Sequence, residues 1–242
     1  EKISFSPSGA TEVRQAGHAF ISMRARIERH LEQRTAMLSG VSHDLRTPLT
    51  RMKLSISLME KDDLLDDLQG DVKEMEDILN EFLAFSRGDS GEEFSIVDPK
   101  KLIKTLIKER KRLNHNVSLN LDNIGSDKIK FKCKALAISR AINNLLSNAA
   151  KHSEKTIVSV KSTSDTLSFI VEDSGKGIPK DLRQKAIRPF ERLDTSRNQN
   201  KGIGAGLGLA IVSDIARSHG GKLILNHSND LGGLRAEIQI PL

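Results

Sequence analysis

Gly40–Leu49 reads GVSHDLRTPL, placing a histidine, an acid, a threonine and a proline within six residues of one helical pattern. The apolar residues around it, Ile27, Leu31, Leu38, Val41, Leu45, Leu49, Met52, Ile56 and Met59, recur in steps of three, four or their sum. That spacing is the seam of a bundled helix. His43 lies two residues from both Val41 and Leu45, so at about 100° per residue it points away from the stripe and toward solvent.

Outward from this stretch, a helical pattern runs from His18 toward Lys61. At 1.5 Å per residue it spans roughly 60 Å, too long to stand without a partner helix. The acidic break KDDLLDDLQG supplies a turn, and a second stripe follows in Leu68, Val72, Met75, Leu79 and Phe82. One hairpin with one seam encloses no core, so two chains forming a four-helix bundle is the expected solution.

Arg87–Glu93, RGDSGEE, reads as a linker. Beyond it, strand-like runs at FSIVD, VSLNL, KIKFK, TIVSVK, TLSFIVED, KLILNH and LRAEIQI alternate with helical runs beginning near Pro99, Lys134 and Ala205. A sheet with helices on one face is expected. The fold class is therefore α+β, a long helical hairpin followed by an α/β sandwich.

Composition bounds the function. The chain has 242 residues, 37% hydrophobic content, one cysteine and a net charge of +6. No run is apolar enough to cross a bilayer. A single Cys133 excludes an internal disulfide and suits a reducing compartment. At 3% aromatic residues the chain lacks stacking platforms, so nucleic acid is not an expected partner. A first residue of Glu1 rather than Met implies a piece cut from a longer protein.

Three further stretches carry chemistry. KGIGAGLGLAIV, Lys201–Val212, places glycines before an apolar helix pattern, which suits either a phosphate cradle or a plain loop. It fits neither the P-loop nor the dinucleotide fingerprint. VEDSGKGIP, Val171–Pro179, ends a strand with an acid beside two glycines. Asp173 there either accepts from an exocyclic amine or caps a turn. AINNLLSNAAKHS, Ala141–Ser153, sets Asn144, Asn148 and Lys151 along one helix face, either a polar face or a place for a hard cation beside phosphate oxygens.

The order GVSHDLRTPL, NNLLSNAAKH, EDSGKGI, RPFERLD and GIGAGLGLAIV resembles the H, N, G1, F and G2 boxes of bacterial sensor histidine kinases, and the approach to the first box most resembles the EnvZ branch. The resemblance implies the end of a HAMP signalling segment at 1–32, a dimerisation and phosphotransfer hairpin at 33–88, a linker at 89–94 and a GHKL, or Bergerat, ATP-binding domain at 95–242. It implies His43 as phosphoacceptor, Asp44 as acceptor of the imidazole proton, and Thr47 as a phosphatase residue. Neutral imidazole beside an acid is a competent nucleophile near neutral pH. ATP and Mg²⁺ are the implied cofactors. Asn148 is the implied metal ligand, with Asn144 close by, Lys151 toward the phosphates, His152 where relatives carry an aromatic residue, and Asp173 reading adenine. Gly175 and Gly177 make room for the base. Gly204, Gly206, Leu207 and Gly208 belong to the lid end, where Ala205 replaces the usual Ser or Thr. Phe190 is expected to pack the lid base. The implied assembly is a homodimer that serves an OmpR-like response regulator receiver domain. It would be the cytoplasmic portion of a bacterial inner-membrane protein anchored upstream of residue 1.

Overall fold

The computed structural model describes residues 8, 10–59, 63–87, 92–112, 116–121, 130–191 and 206–242. The chain divides into two compact units, 1–79 and 80–242.

The first unit is helical. Helix α1 spans Thr11–Ser57 and runs through Pro48, starting earlier than the periodicity from His18 indicates; α2 spans Asp63–Arg87 and continues into the second unit. Their seam splits into two halves. Leu49 and Ile56 of α1 and Leu65, Val72 and Leu79 of α2, each seven residues from the next, form one buried cluster. Leu45, Met52 and Met59, and on α2 Leu68 and Met75, are 44–60% exposed. One heptad position thus packs within the hairpin while the other leaves an apolar stripe bare. Lys53 Nζ reaches Glu76 Oε2 at 3.0 Å between the helices, a solvated pair worth at most about 1 kcal/mol.

The second unit is a helix-backed sheet. In chain order it contains β1 (Ser95–Val97), α3 (Pro99–Arg112), β2 (Val117–Asn120), β3 (Phe131–Cys133), α4 (Ala135–His152), β4 (Thr156–Ser162), β5 (Thr166–Asp173), α5 (Arg183–Ala186), α6 (Gly208–Ser218), β6 (Lys222–His227) and β7 (Leu234–Pro241). Five strands form one sheet in the order β2-β4-β5-β7-β6, with β2 parallel to β4 and the other pairs antiparallel; β1 and β3 form a separate antiparallel pair.

Alternation fixes which face is covered. The register row Leu119–Val158–Val171–Ala236–Leu225 and the row Val160–Phe169–Ile238–Leu223 lie on the core side. The adjoining row Ser118–Ile157–Glu172–Arg235–Asn226 lies on the other. A one-residue slip would exchange these faces, so the pattern locks the register. Helices α3, α4 and α6 supply the covering layer through Ile103, Ile107, Ile138, Ile142, Leu146, Ile211 and Ile215. Each such side chain contributes about 1.5–3 kcal/mol on burial.

The N-terminus of α4 is finished from a distance. Its N-cap residue Lys134 makes no side-chain cap. The Glu92 carboxylate accepts instead from Leu136 N at 2.7 Å and Ala137 N at 3.0 Å, and Lys134 N–H donates to His219 Nε2 at 3.1 Å. A carboxylate at that end also meets the positive helix dipole. Asn143 on the same helix is gripped by Arg110 of α3, whose Nε and Nη2 both reach Asn143 Oδ1, at 3.3 and 3.2 Å. Burial pushes the Arg110 guanidinium below its ordinary pKa, against the opposing effect of Glu109.

Candidate functional site

Asp173 ends β5 on the core side of the sheet and is 6% exposed. Its Oδ1 accepts from Gly175 N at 2.9 Å and from Leu234 N at 3.1 Å. Gly233 N–H donates to the Asp173 carbonyl at 3.1 Å. No described residue donates to Oδ2. One carboxylate oxygen is therefore fixed by the backbone, while the other keeps its acceptor capacity for a ligand donor.

Three glycines make this anchoring possible. A Cβ on Gly233 would overlap the Asp173 carbonyl and Oδ1 and lie 2.6 Å from Gly175 N. On Gly175 it would lie 2.6 Å from the His152 carbonyl at the end of α4. Gly177 holds φ +68, and a Cβ on it would lie 3.2 Å from the Gly233 backbone. The expectation that Gly175 and Gly177 clear space for a planar base needs refinement, because in this structure the cleared space holds protein backbone. Gly233 and the Leu234 amide were not among the expected site residues. The LGG stretch before β7 was a visible turn signal, but nothing in its spacing tied it to an acid sixty residues earlier.

On α4, buried Ile138, Ala141, Ile142, Leu145, Leu146 and Ala149 form the inner stripe. Asn144, Asn148 and Lys151 follow one another on a different face, with Lys151 and His152 exposed in the last turn. Asn144 Nδ2 is buried and has no hydrogen-bond partner among the described residues. A buried amide donor left open is costly, and a ligand acceptor would satisfy it. Among the described residues no group of three His, Cys, Asp or Glu could hold a metal. A cation here would depend on the Asn148 amide oxygen together with phosphate oxygens, a hard-oxygen set that fits Mg²⁺.

Gly204 lies outside the described residues. Gly206, with φ +70, receives a hydrogen bond on its carbonyl from Phe190 N at 3.1 Å, closing the two ends of residues 191–205. Phe190 itself holds φ +64 and is 59% exposed, with its ring centroid 6.2 Å from that of Phe82; the lid base it is expected to pack lies outside the described residues. Leu207, expected at the lid end, has its side chain fully buried in the core. Gly208 opens α6, and a Cβ there would meet nothing within 4 Å. Among the described residues, nothing caps the helix start with a side chain.

On α1, Asp44 and Thr47 are exposed, and the backbone of His43 stands one turn before Thr47. The expected outward aim of the His43 imidazole lies outside the described residues. Residues i and i+4 share a helix face, which brings His43 and Thr47 to one surface.

Residues 33–91 match the His Kinase A (phospho-acceptor) domain, and residues 133–242 match the histidine kinase-, DNA gyrase B-, and HSP90-like ATPase family. The sensor histidine kinase GtrS of Pseudomonas aeruginosa is 32% identical over 96% of this chain and 47% of its own length. The sensor histidine kinase CpxA of Escherichia coli is 29% identical over 97% of this chain and 53% of its own. The chain thus spans about half the length of these curated relatives. A crystal structure of full-length ShkA in complex with AMPPNP superposes with a TM-score of 0.65, covering 85% of this chain and 45% of that one, at 20% identity, which makes the shared property the fold. The chain thus carries a histidine kinase phospho-acceptor domain followed by a histidine kinase-type ATPase domain, and it is homologous along nearly its whole length to sensor histidine kinases.

Proposed function

We propose that the chain binds ATP with Mg²⁺ in its second unit and transfers the γ-phosphoryl group to His43. The carrying observation is Asp173, a buried carboxylate with Oδ1 held by two backbone amides and Oδ2 open to an exocyclic amine. In this reading Asn144 supplies its unpartnered Nδ2, Asn148 and Lys151 face the phosphates, and Gly204, Gly206, Leu207 and Gly208 present backbone toward them. Mg²⁺ on Asn148 would screen charge between the phosphates as the terminal P–O bond breaks. An imidazole nitrogen of His43 forms the new bond to phosphorus, ADP leaves, and the imidazole proton passes to the Asp44 carboxylate.

The bare half of the hairpin seam supports a homodimer in which a second copy completes the four-helix bundle. We assign the hairpin to 33–88, the linker to 89–94 and the ATP-binding domain to 95–242. Residues 1–32 are assigned to the end of a HAMP segment, a reading supported by the unbroken helix α1. The phosphoryl group then moves from His43 to an aspartate of an OmpR-like receiver domain, and Thr47 orients water to hydrolyse that aspartyl phosphate. The chain would act as the cytoplasmic portion of a membrane-anchored sensor.

Incubation with γ-phosphate-labelled ATP and Mg²⁺ tests the reading. Acid-labile, base-stable label on the wild type and none on His43→Gln, with nucleotide binding retained, is the expected pattern. Label incorporated at an unchanged rate in His43→Gln would overturn it, as would tight nucleotide binding without any phosphohistidine in the wild type.

A further inference from the structure

Helix α3 carries Lys100, Lys101, Lys104, Lys108, Arg110, Lys111 and Arg112 against Glu109 alone. That excess of six equals the +6 of the whole chain, so outside α3 the basic and acidic residues balance. The helix dipole accounts for cations in the last turn. It does not account for Lys100 and Lys101 in the first turn, where the dipole opposes them and the adjacent Asp98 carboxylate accepts from their backbone N–H groups. Lys104, Lys108 and Lys111 then follow at spacings of four and three along one face, an arrangement that repels itself. Arg110 is turned inward to Asn143 and takes no part. No described residue forms an ion pair with Lys104, Lys108, Lys111 or Arg112.

Beside this stripe lies an open groove of about 450 Å³, lined by Lys104, Ile107, Lys108, Lys111, Arg112 and Leu119. Its floor is apolar, from Ile107 of α3 and Leu119 of the edge strand β2, and its rim is cationic. From Lys101 to Arg112 the stripe runs for about 16 Å.

We propose that α3 and the adjoining edge of β2 form a docking surface for an anionic phospholipid bilayer. Self-repelling lysines around an apolar floor match a layer of phosphates over the upper acyl region, and lysine stems can lie along apolar surface while the ammonium groups reach the headgroups. Single-stranded nucleic acid fits less well, because no aromatic residue on this face could stack a base. An acidic peptide fits less well too, because the exposed cations are mostly lysine point charges rather than the guanidinium forks that read carboxylates. None of the groove's lining residues belongs to the nucleotide set, so the inference does not depend on the phosphotransfer reading.

The test is co-flotation of the full chain, without nucleotide, with phosphatidylcholine vesicles and with the same vesicles containing phosphatidylserine. Binding is expected only to the second, falling steeply with salt. The Lys104, Lys108, Lys111→Gln triple variant should bind on the order of a hundredfold more weakly, at about fivefold per lost charge. A control removing Lys155, Lys161 and Lys222 removes the same charge elsewhere and should leave binding nearly unchanged, and circular dichroism melts establish that both variants fold. Equal binding to neutral vesicles, no binding to either, equal loss in the two triple variants, or tighter binding to duplex DNA or polyglutamate at the same salt would each overturn the proposal.

Discussion

Replacing Gly233 with Ala adds one methyl group where an ideal Cβ overlaps the Asp173 carbonyl and Oδ1. Gly233 is absent from the left-handed glycines, so the cost is one of space and not of backbone conformation. Relief requires the turn before β7 to retreat, which loosens the Leu234 N–H bond to Asp173 Oδ1 and lets the carboxylate rotate. Overpacking of this kind costs about 1–3 kcal/mol. At about 2–4 °C per kcal/mol for a unit of this size, the second unit should melt about 2–12 °C lower. A displaced hydrogen bond from a charged acceptor is worth about 1.5–3 kcal/mol, so ATP should bind about ten- to a hundredfold more weakly. Gly232→Ala is the matched comparison. It forces an L residue to φ +82 with nothing within 4 Å of the new methyl. It should lower the melting temperature, at about 1–2 kcal/mol, while sparing affinity. Calorimetric ATP titrations and thermal melts on the three proteins decide the matter. Wild-type affinity in Gly233→Ala, or an equal loss in Gly232→Ala, would refute the anchoring of Asp173.

Two further perturbations probe the scaffold. Glu92→Ala removes the bidentate cap of α4 and should cost about 0.5–2 kcal/mol, read as a lower melting temperature; an unchanged melt would mean the cap carries no weight. Cys133 is fully buried, and burial, with a smaller effect from Glu92, pushes its thiol from 9.0 up to about 11. It should resist iodoacetamide at pH 8 in the native protein and react readily in urea. Because the folded state holds this proton more tightly, its contribution to stability is complete below pH 9 and lost as pH rises toward about 11, by at most about 2–3 kcal/mol. Cys133→Ala should flatten that decline in denaturant titrations.

Local chemistry was legible wherever a signal repeats over a few residues. The β5 run TLSFIVED is short, apolar through Phe169–Val171 and closed by acids, so its strand and the acid at its end follow directly, and the α4 stripe of Ile138, Ile142, Leu145 and Leu146 separates inner from outer positions by period alone. What escaped is pairwise and distant. Leu234 N–H meets Asp173 across 61 residues and Glu92 caps α4 across 44, and neither segment carries a pattern that names its partner. The burial of the Leu207 side chain, in a residue set among glycines, likewise carries no local signal. Helix α5, at four residues, is too short to show a period.

The sequence by itself determined the hairpin, the strand order along the chain, the positions of His43, Asn148 and Asp173, and the concentration of positive charge on Lys100–Arg112. Each depends on periodicity, composition or a short motif, which are properties of neighbours along the chain. Only the tertiary structure decided which half of the heptad seam is buried within one hairpin, which oxygen of Asp173 stays open, and why Gly233 must lack a side chain. Those depend on which backbone atoms arrive at one point after folding, where a single methyl group fits or does not.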